Sequence, residues 1–229
     1  YPWWTERLRR AFTRFDLVRL DHFRGFDEYW EIPAEHETAI KGEWKSAPGA
    51  HFLDAMEEEF GALPVVAEDL GIITDSVKAL RDRFALPGMA VLQFAFGSTP
   101  QNDFLPHNCR RNVVAYTGTH DNDTTLGWWR HGLSDEERAF AASYLNVPPS
   151  APDAAVPKHA VRALMASVAR RVVIPFQDVL GLGTEARMNT PGAADDNWDW
   201  RCAPDQLSEE KEEMLKELTY VYGRASSYD

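Results

Sequence analysis

The stretch "VRLDHFRGF", Val18 to Phe26, opens as a buried strand and then carries Arg19, Asp21, His22 and Arg24 within six residues. Such a load at the end of an apolar run has two readings: mutual ion pairing, or the lining of a site where chemistry happens. Working outward from it, the same pattern recurs. Leu17–Leu20 runs into Asp21-His22, and Val65–Ala67 into Glu68-Asp69. Val113–Tyr116 passes through Thr117-Gly118-Thr119 into His120-Asp121-Asn122-Asp123, and Val172–Phe176 leads to Gln177-Asp178. Ala90–Phe94 is a fifth strand-like run. These runs are apolar rather than alternating, as strands covered on both faces are. Each cluster lies at the C-terminal end of its run, the end at which α/β proteins bind ligands and project catalytic groups. Four such ends predict a shared rim.

Segments of helical period separate the runs. Residues 3–15 place Trp4, Leu8, Ala11, Phe12 and Phe15 at helical spacing. "GAHFLDAMEEEFG" sets Phe52, Ala55, Met56 and Phe60 on one face and stops at Gly61. "TDSVKALRDRFALPG" starts at a Thr cap and keeps Val77, Leu80 and Phe84 inward. Ser134 followed by Glu137 forms a capping box, and "PKHAVRALMASVARR" and "SEEKEEMLKELTYVYG" complete the set. Strand and helix alternate, which predicts an α/β fold with parallel strands and crossover helices. The Pro/Ala-rich segment Asn146 to Pro157 reads as a surface excursion, so residues 1–229 read as one domain.

Composition narrows the function. The chain has 229 residues, with 44% hydrophobic and 26% charged side chains and a net charge of −12. That charge, with no basic cluster interleaved with aromatics, argues against nucleic acid. The longest apolar runs are strand-length, too short for a membrane span. Cys109 and Cys202 have no CxxC partner and read as reduced thiols in the cytoplasm. Eight tryptophans raise the question of carbohydrate, because aromatic faces stack on the apolar C–H edges of sugars.

Three carboxylates stand out at the strand ends: Asp21, Glu68 and Asp121. Metal binding is disfavoured, since no His pair has zinc-like or helical spacing and Arg19 and Arg24 bracket Asp21. Glycosyl transfer needs one ionised carboxylate as nucleophile and one protonated carboxyl as acid. Arg19, two residues before Asp21, shares its strand face and favours its ionised form. A Glu at an apolar strand end beside another acid has its pKa raised, which suits a general acid. The competing reading makes all three of them ion pairs tying strands to loops.

"VRLDHFRGF", "VVAEDLG" and "YTGTHDNDTTLGWW" resemble the signature segments of the 4-alpha-glucanotransferases of glycoside hydrolase family 77, the amylomaltases. "LPGMAVLQFAF", "FLPHN", "FQDVLGLG" and "EARMNTPG" follow in the family's order, so the resemblance covers essentially the whole chain. It implies a (β/α)8 barrel, of which this chain is the C-terminal part, about strands 4–8. It implies Asp21 as nucleophile, Glu68 as general acid/base and Asp121 as transition-state stabiliser. Arg19, His22, Asp69, His120 and Asn189 resemble substrate-contacting groups, with Gln177 and Asp178 near the rim and a structural role equally open for Asp178. The implied reaction moves an α-1,4-glucan segment to another glucan, a maltooligosaccharide or glucose, with no metal or organic cofactor. The N-terminal barrel strands and inserted subdomains are expected in the remainder of the same polypeptide. Where some family members carry an acidic pair after "QFAF", this chain has Gly97-Ser98. Two other readings are a non-catalytic glucan-binding fragment and an α-amylase-like hydrolase. Trp128 and Trp129 are expected to pack a helix start, Asn197–Trp200 to staple a late loop, and Arg24 to serve the loop.

Overall fold

A computed structural model describes residues 1–206 and 208–225 as an α/β protein with two compact units, Tyr1–Met89 and Ala90–Asp229. In the first, helix α1 (Pro2–Phe12) leads to β1 (Val18–Leu20) and a single 3-10 turn at Phe23–Phe26. A hairpin of β2 (Glu28–Glu31) and β3 (Glu43–Ser46) follows, then α2 (Gly49–Phe60), β4 (Val65–Ala67) and α3 (Asp75–Arg83). β1 and β4 run parallel, with Val18 opposite Val65, Arg19 opposite Val66 and Leu20 opposite Ala67. The chain passes into the second unit within β5 (Gly88–Val91).

The local signals explain most of these boundaries. Pro2 opens α1, where a missing N–H costs nothing. α2 stops where Gly61 adopts φ 73°, a conformation that favours glycine. The Thr74 side chain accepts the Val77 N–H and starts α3, whose Val77 and Leu80 turn inward with Phe84 beyond its end. Leu8, Leu20, Phe23, Phe52, Leu53, Met56, Val65, Ala67, Val77 and Leu86 belong to one core. Phe23 is fully buried, and full burial of a Phe side chain is worth about 1.5–3 kcal/mol. Phe26 packs beside it at 5.7 Å between ring centroids and stacks on Phe52 at 5.3 Å.

The second unit holds a three-stranded sheet of order β5, β6 (Val113–Tyr116), β7 (Arg171–Val173). β6 and β7 are parallel, joined through α4 (Thr125–His131), α5 (Asp135–Tyr144) and α6 (Val156–Met165). Ser134 and Glu137 close the expected capping box at α5. Trp128 and Trp129 are buried in α4, as packing residues should be, within a core that includes Leu105, Ala115, Val156 and Leu164. α7 (Phe176–Leu180) and α8 (Glu209–Val221) complete the unit.

Several expectations need correction. The run Val172–Phe176 is not a strand throughout: β7 ends at Val173, and Phe176, Gln177 and Asp178 lie on α7. Pro175 caps that helix, and proline ends strand pairing by lacking an N–H. Ala90–Phe94 likewise leaves the strand at Leu92 for a 3-10 turn. The segment Asn146–Pro157 is not wholly a surface excursion, because α6 begins inside it with Val156 fully buried. The β2–β3 hairpin has no counterpart in the sequence reading. Among the described residues, no helix is long and apolar enough to cross a membrane.

Candidate functional site

Each unit presents its own cluster of polar groups beyond the strand ends. In the first, Arg19 and Asp21 emerge on the same side of β1, and an Arg19 Nη donates to Asp21 Oδ1 at 2.7 Å. Asp21 is largely exposed, whereas Leu20 between them points into the core. The chain then turns at His22, which takes the left-handed conformation with φ 47°. That turn aims the His22 backbone N–H at Glu68 Oε2, 2.7 Å away. The Leu70 N–H donates to Glu68 Oε1 at 3.1 Å, so both carboxyl oxygens are held by backbone. Two further backbone bonds knit the same ends: Glu68 N–H to the Leu20 carbonyl at 2.9 Å and Phe23 N–H to the Glu68 carbonyl at 3.0 Å.

Burial raises the Glu68 pKa above its ordinary value, since an ionised carboxylate loses solvation there. The two backbone N–H groups and Arg19 pull the other way, while the Asp21 charge pushes it further up. The net direction is upward. An ion-paired exposed carboxylate and a half-buried one inclined to hold its proton therefore stand in one cluster, the division of labour that acid-assisted substitution requires.

Asp69 does not face outward. It is buried, paired with Arg81, and accepts the Met89 N–H at 2.7 Å. Its position next to Glu68 puts it on the opposite side of the extended chain, so it braces the β4 end from inside. For Arg81, burial works against the charge, but the bonds to Asp69 and Asp82 win and its pKa is raised. Arg24 serves the loop, as expected: it donates to Glu28 and to the Ile72 carbonyl and lies 4.1 Å from the Trp44 ring centre.

In the second unit the segment after β6 divides its labour residue by residue. Asp121 is exposed and accepts from Asn189 Nδ2 at 2.6 Å, and His120 Nε2 lies 3.4 Å from its other oxygen. Asn122 turns back to accept from the Thr119 N–H and hydroxyl, each at 2.9 Å. Asp123 accepts from the Thr124 N–H and from the Thr184 hydroxyl at 2.8 Å. Asn122 and Asp123 thus shape the loop that holds Asp121 out.

Residues 186–189 form the matching half. Gln177 Nε2 donates to the Ala186 carbonyl, and Arg187 donates to the carbonyls of both Asp121 (2.7 Å) and Asn189 (2.9 Å). The Met188 carbonyl accepts the Trp198 N–H at 2.7 Å. Arg187 and Trp198 are the residues that sequence reasoning missed. The signal for Arg187 was its place two residues before Asn189 within an otherwise recognised motif.

Asp178 is only 2% exposed and accepts from the Thr117 hydroxyl and from both the N–H and the hydroxyl of Thr125. Burial raises its pKa, and those donors oppose the rise. Asp178 and Gln177 therefore sit inside the unit rather than on an open rim. Among the described residues no group of three or more His, Cys, Asp or Glu is placed to hold a metal ion. Burial pushes the Cys109 thiol to about 11, which removes it as a nucleophile at neutral pH.

The model of the glycoside hydrolase 77 family, described as 4-alpha-glucanotransferase, matches residues 1–207. A 4-alpha-glucanotransferase of Thermus thermophilus is 52% identical over 222 residues, 95% of this chain and 44% of that protein. The chloroplastic/amyloplastic 4-alpha-glucanotransferase DPE1 of Arabidopsis thaliana is 45% identical over 228 residues, 98% of this chain and 39% of that protein. The structure of an amylomaltase from Streptococcus agalactiae in complex with acarbose superposes with a TM-score of 0.92 at 36% identity, covering 98% of this chain and 45% of that one. The chain thus spans less than half the length of the curated relatives it matches.

Proposed function

Because the chain belongs to glycoside hydrolase family 77, described as 4-alpha-glucanotransferase, we propose that the complete protein transfers α-1,4-glucan segments by a retaining, covalent mechanism of the amylomaltase type. The observation that carries this reading is the Arg19–Asp21–Glu68 cluster, with an ion-paired carboxylate beside one whose pKa burial raises.

In the proposed mechanism an Asp21 carboxylate oxygen attacks the anomeric carbon of the donor sugar. The bond from that carbon to the leaving O4 breaks, and O4 takes the proton from Glu68. The acceptor's 4-hydroxyl then loses its proton to Glu68 and attacks the anomeric carbon, releasing Asp21. Two inversions give net retention, and Glu68 ends protonated as it began. Asp121, fixed by Asn189, stabilises the positive charge of the oxocarbenium-like transition state by its own negative charge and by accepting from sugar hydroxyls. Arg19, His22, His120 and Asn189 contact the sugars. Asp69 acts through the Glu68 loop that it braces.

The accompanying fold reading is the C-terminal part, about strands 4–8, of a (β/α)8 barrel, with residues 1–229 in one catalytic domain. The parallel β1–β4 and β6–β7 pairs support it. Its partners are α-1,4-glucans, maltooligosaccharides and glucose, together with the remainder of its own polypeptide. A cytoplasmic location accords with Cys109 and Cys202 being free thiols.

The test uses the complete gene product and maltotriose. The expected result is glucose plus longer maltooligosaccharides with no net rise in reducing ends. A steady rise in reducing ends assigns a hydrolase instead, and glucan binding without turnover assigns a binding protein.

A further inference from the structure

The sequence gives Trp198 only a place in the loop-stapling segment Asn197–Trp200, and the proposed mechanism gives its indole no role. Trp198 is 53% exposed, while the other tryptophans of its unit, Trp128, Trp129 and Trp200, are buried or half-buried. Its backbone is in the left-handed region at φ 64°, and Asp196 two residues earlier is at φ 60°. A bulky residue seldom adopts that conformation unless its surroundings impose it, and such positions gather at ligand sites. The surroundings here do impose it. The Trp198 N–H is held by the Met188 carbonyl at 2.7 Å. Asn197 beside it accepts the Thr190 N–H at 2.7 Å and donates to the Ala193 carbonyl at 2.9 Å.

The indole thus held out is not far from polar groups. Its ring lies 5.2 Å from that of His120, tilted by 35°. His120 is in turn 3.4 Å from Asp121, which Asn189 fixes at 2.6 Å. The cluster combines hydrogen-bonding groups for hydroxyls with an exposed aromatic residue for C–H edges. Sugars present both at once.

We infer that Trp198 is a sugar-stacking platform, a glucose-binding subsite beside Asp121 whose indole is pre-set by the strained segment Asp196–Trp198. The inference rests on the glucanotransferase reading and deepens it. Pre-setting matters because an indole already held in place loses little freedom on binding. A platform binds donor and transition state alike, so its loss raises KM and leaves kcat nearly unchanged.

The experiment compares wild type, Trp198→Ala and Trp198→Phe of the complete gene product with maltooligosaccharides of increasing length. Acarbose binding by calorimetry provides a readout free of chemistry. The expected result for Trp198→Ala is a KM and an acarbose Kd raised roughly three- to tenfold, the scale of one aromatic contact. Its kcat stays within about twofold, and Trp198→Phe recovers most of the loss. Unchanged KM and Kd in Trp198→Ala overturn the platform while leaving the glucanotransferase reading intact. A fall in kcat at constant KM also overturns it, by making Trp198 a positioning residue for His120. Wild type that neither binds nor converts maltooligosaccharides overturns the function reading, and this inference with it.

Discussion

Glu68 follows β4 directly and is half-buried, gripped by two backbone N–H groups. Asp121 lies five residues past β6 and is exposed, gripped by side chains from a segment more than sixty residues away in sequence. Both belong to loops at the ends of parallel strands, but their supports differ in kind. Backbone donors cannot be altered by substitution without moving the chain, and burial sets the protonation state that they hold. Side-chain donors can be deleted singly, and an exposed carboxylate relies on them for orientation rather than for its charge. The first arrangement suits a group that must exchange a proton, the second a group that must remain an anion in one place.

The sharpest way to break this comparison is to neutralise the proposed proton carrier. Glu68→Gln in the complete gene product is expected to lower kcat for maltotriose disproportionation by about two to four orders of magnitude, the usual worth of a general acid/base. A loss under about tenfold would show that the proton comes from elsewhere. Deleting a support in the second cluster should cost less. Asn189→Ala removes a charged hydrogen bond of about 1.5–3 kcal/mol and should lower kcat/KM roughly ten- to a hundredfold, with the fold retained by circular dichroism.

The aromatic floor of the first cluster gives a stability counterpart. Phe23→Ala opens a cavity under the loop that carries Asp21 and His22, and should destabilise by about 3–5 kcal/mol in denaturant unfolding. A change under about 1 kcal/mol would mean that the loop is held by its hydrogen bonds alone.

The pH dependence separates the two clusters with the smallest signal. Glu68 is raised by burial first, so its proton is retained above the ordinary Glu range and the alkaline limb of kcat/KM falls correspondingly high. The stability linked to that proton has a definite sign. It is fully present below 4.5, the unperturbed value, and is lost as pH rises through the folded value. Asp21→Asn removes a neighbouring negative charge and should lower the Glu68 value, read by NMR titration of the carboxyl carbon; a rise would contradict the arrangement.

How legible these clusters were follows from the same contrast. The alternation of Arg19, Leu20 and Asp21 along β1 is a local pattern, as are the Thr74 cap, the Ser134–Glu137 box and the Gly61 stop. Each is decided within a few residues, so sequence alone exposes it. The inward turn of Asp69 depends on Arg81, twelve residues on, and the two adjacent acids carry no mark of which faces out. Gln177 and Asp178 resembled rim residues because Pro175, which ends the strand before them, lay inside an apolar run. The β2–β3 hairpin escaped notice because "EYWE" and "EWKS" mix charged and aromatic residues, are mostly exposed, and are separated by a long connection containing Pro33. Trp198 was hidden by its company: in "NWDW" two tryptophans share one spacing, and only the fold separates the exposed ring from the half-buried one.

The central claim is that Asp21 forms the covalent bond to the sugar while Glu68 handles the proton. The direct test is to treat the Glu68→Gln variant of the complete gene product with an α-maltosyl fluoride, whose leaving group needs no acid, and to map the product by mass spectrometry. The account predicts a maltosyl adduct on the peptide containing Asp21, abolished by Asp21→Asn. An adduct on another carboxylate, or one that persists in the double variant, would contradict it.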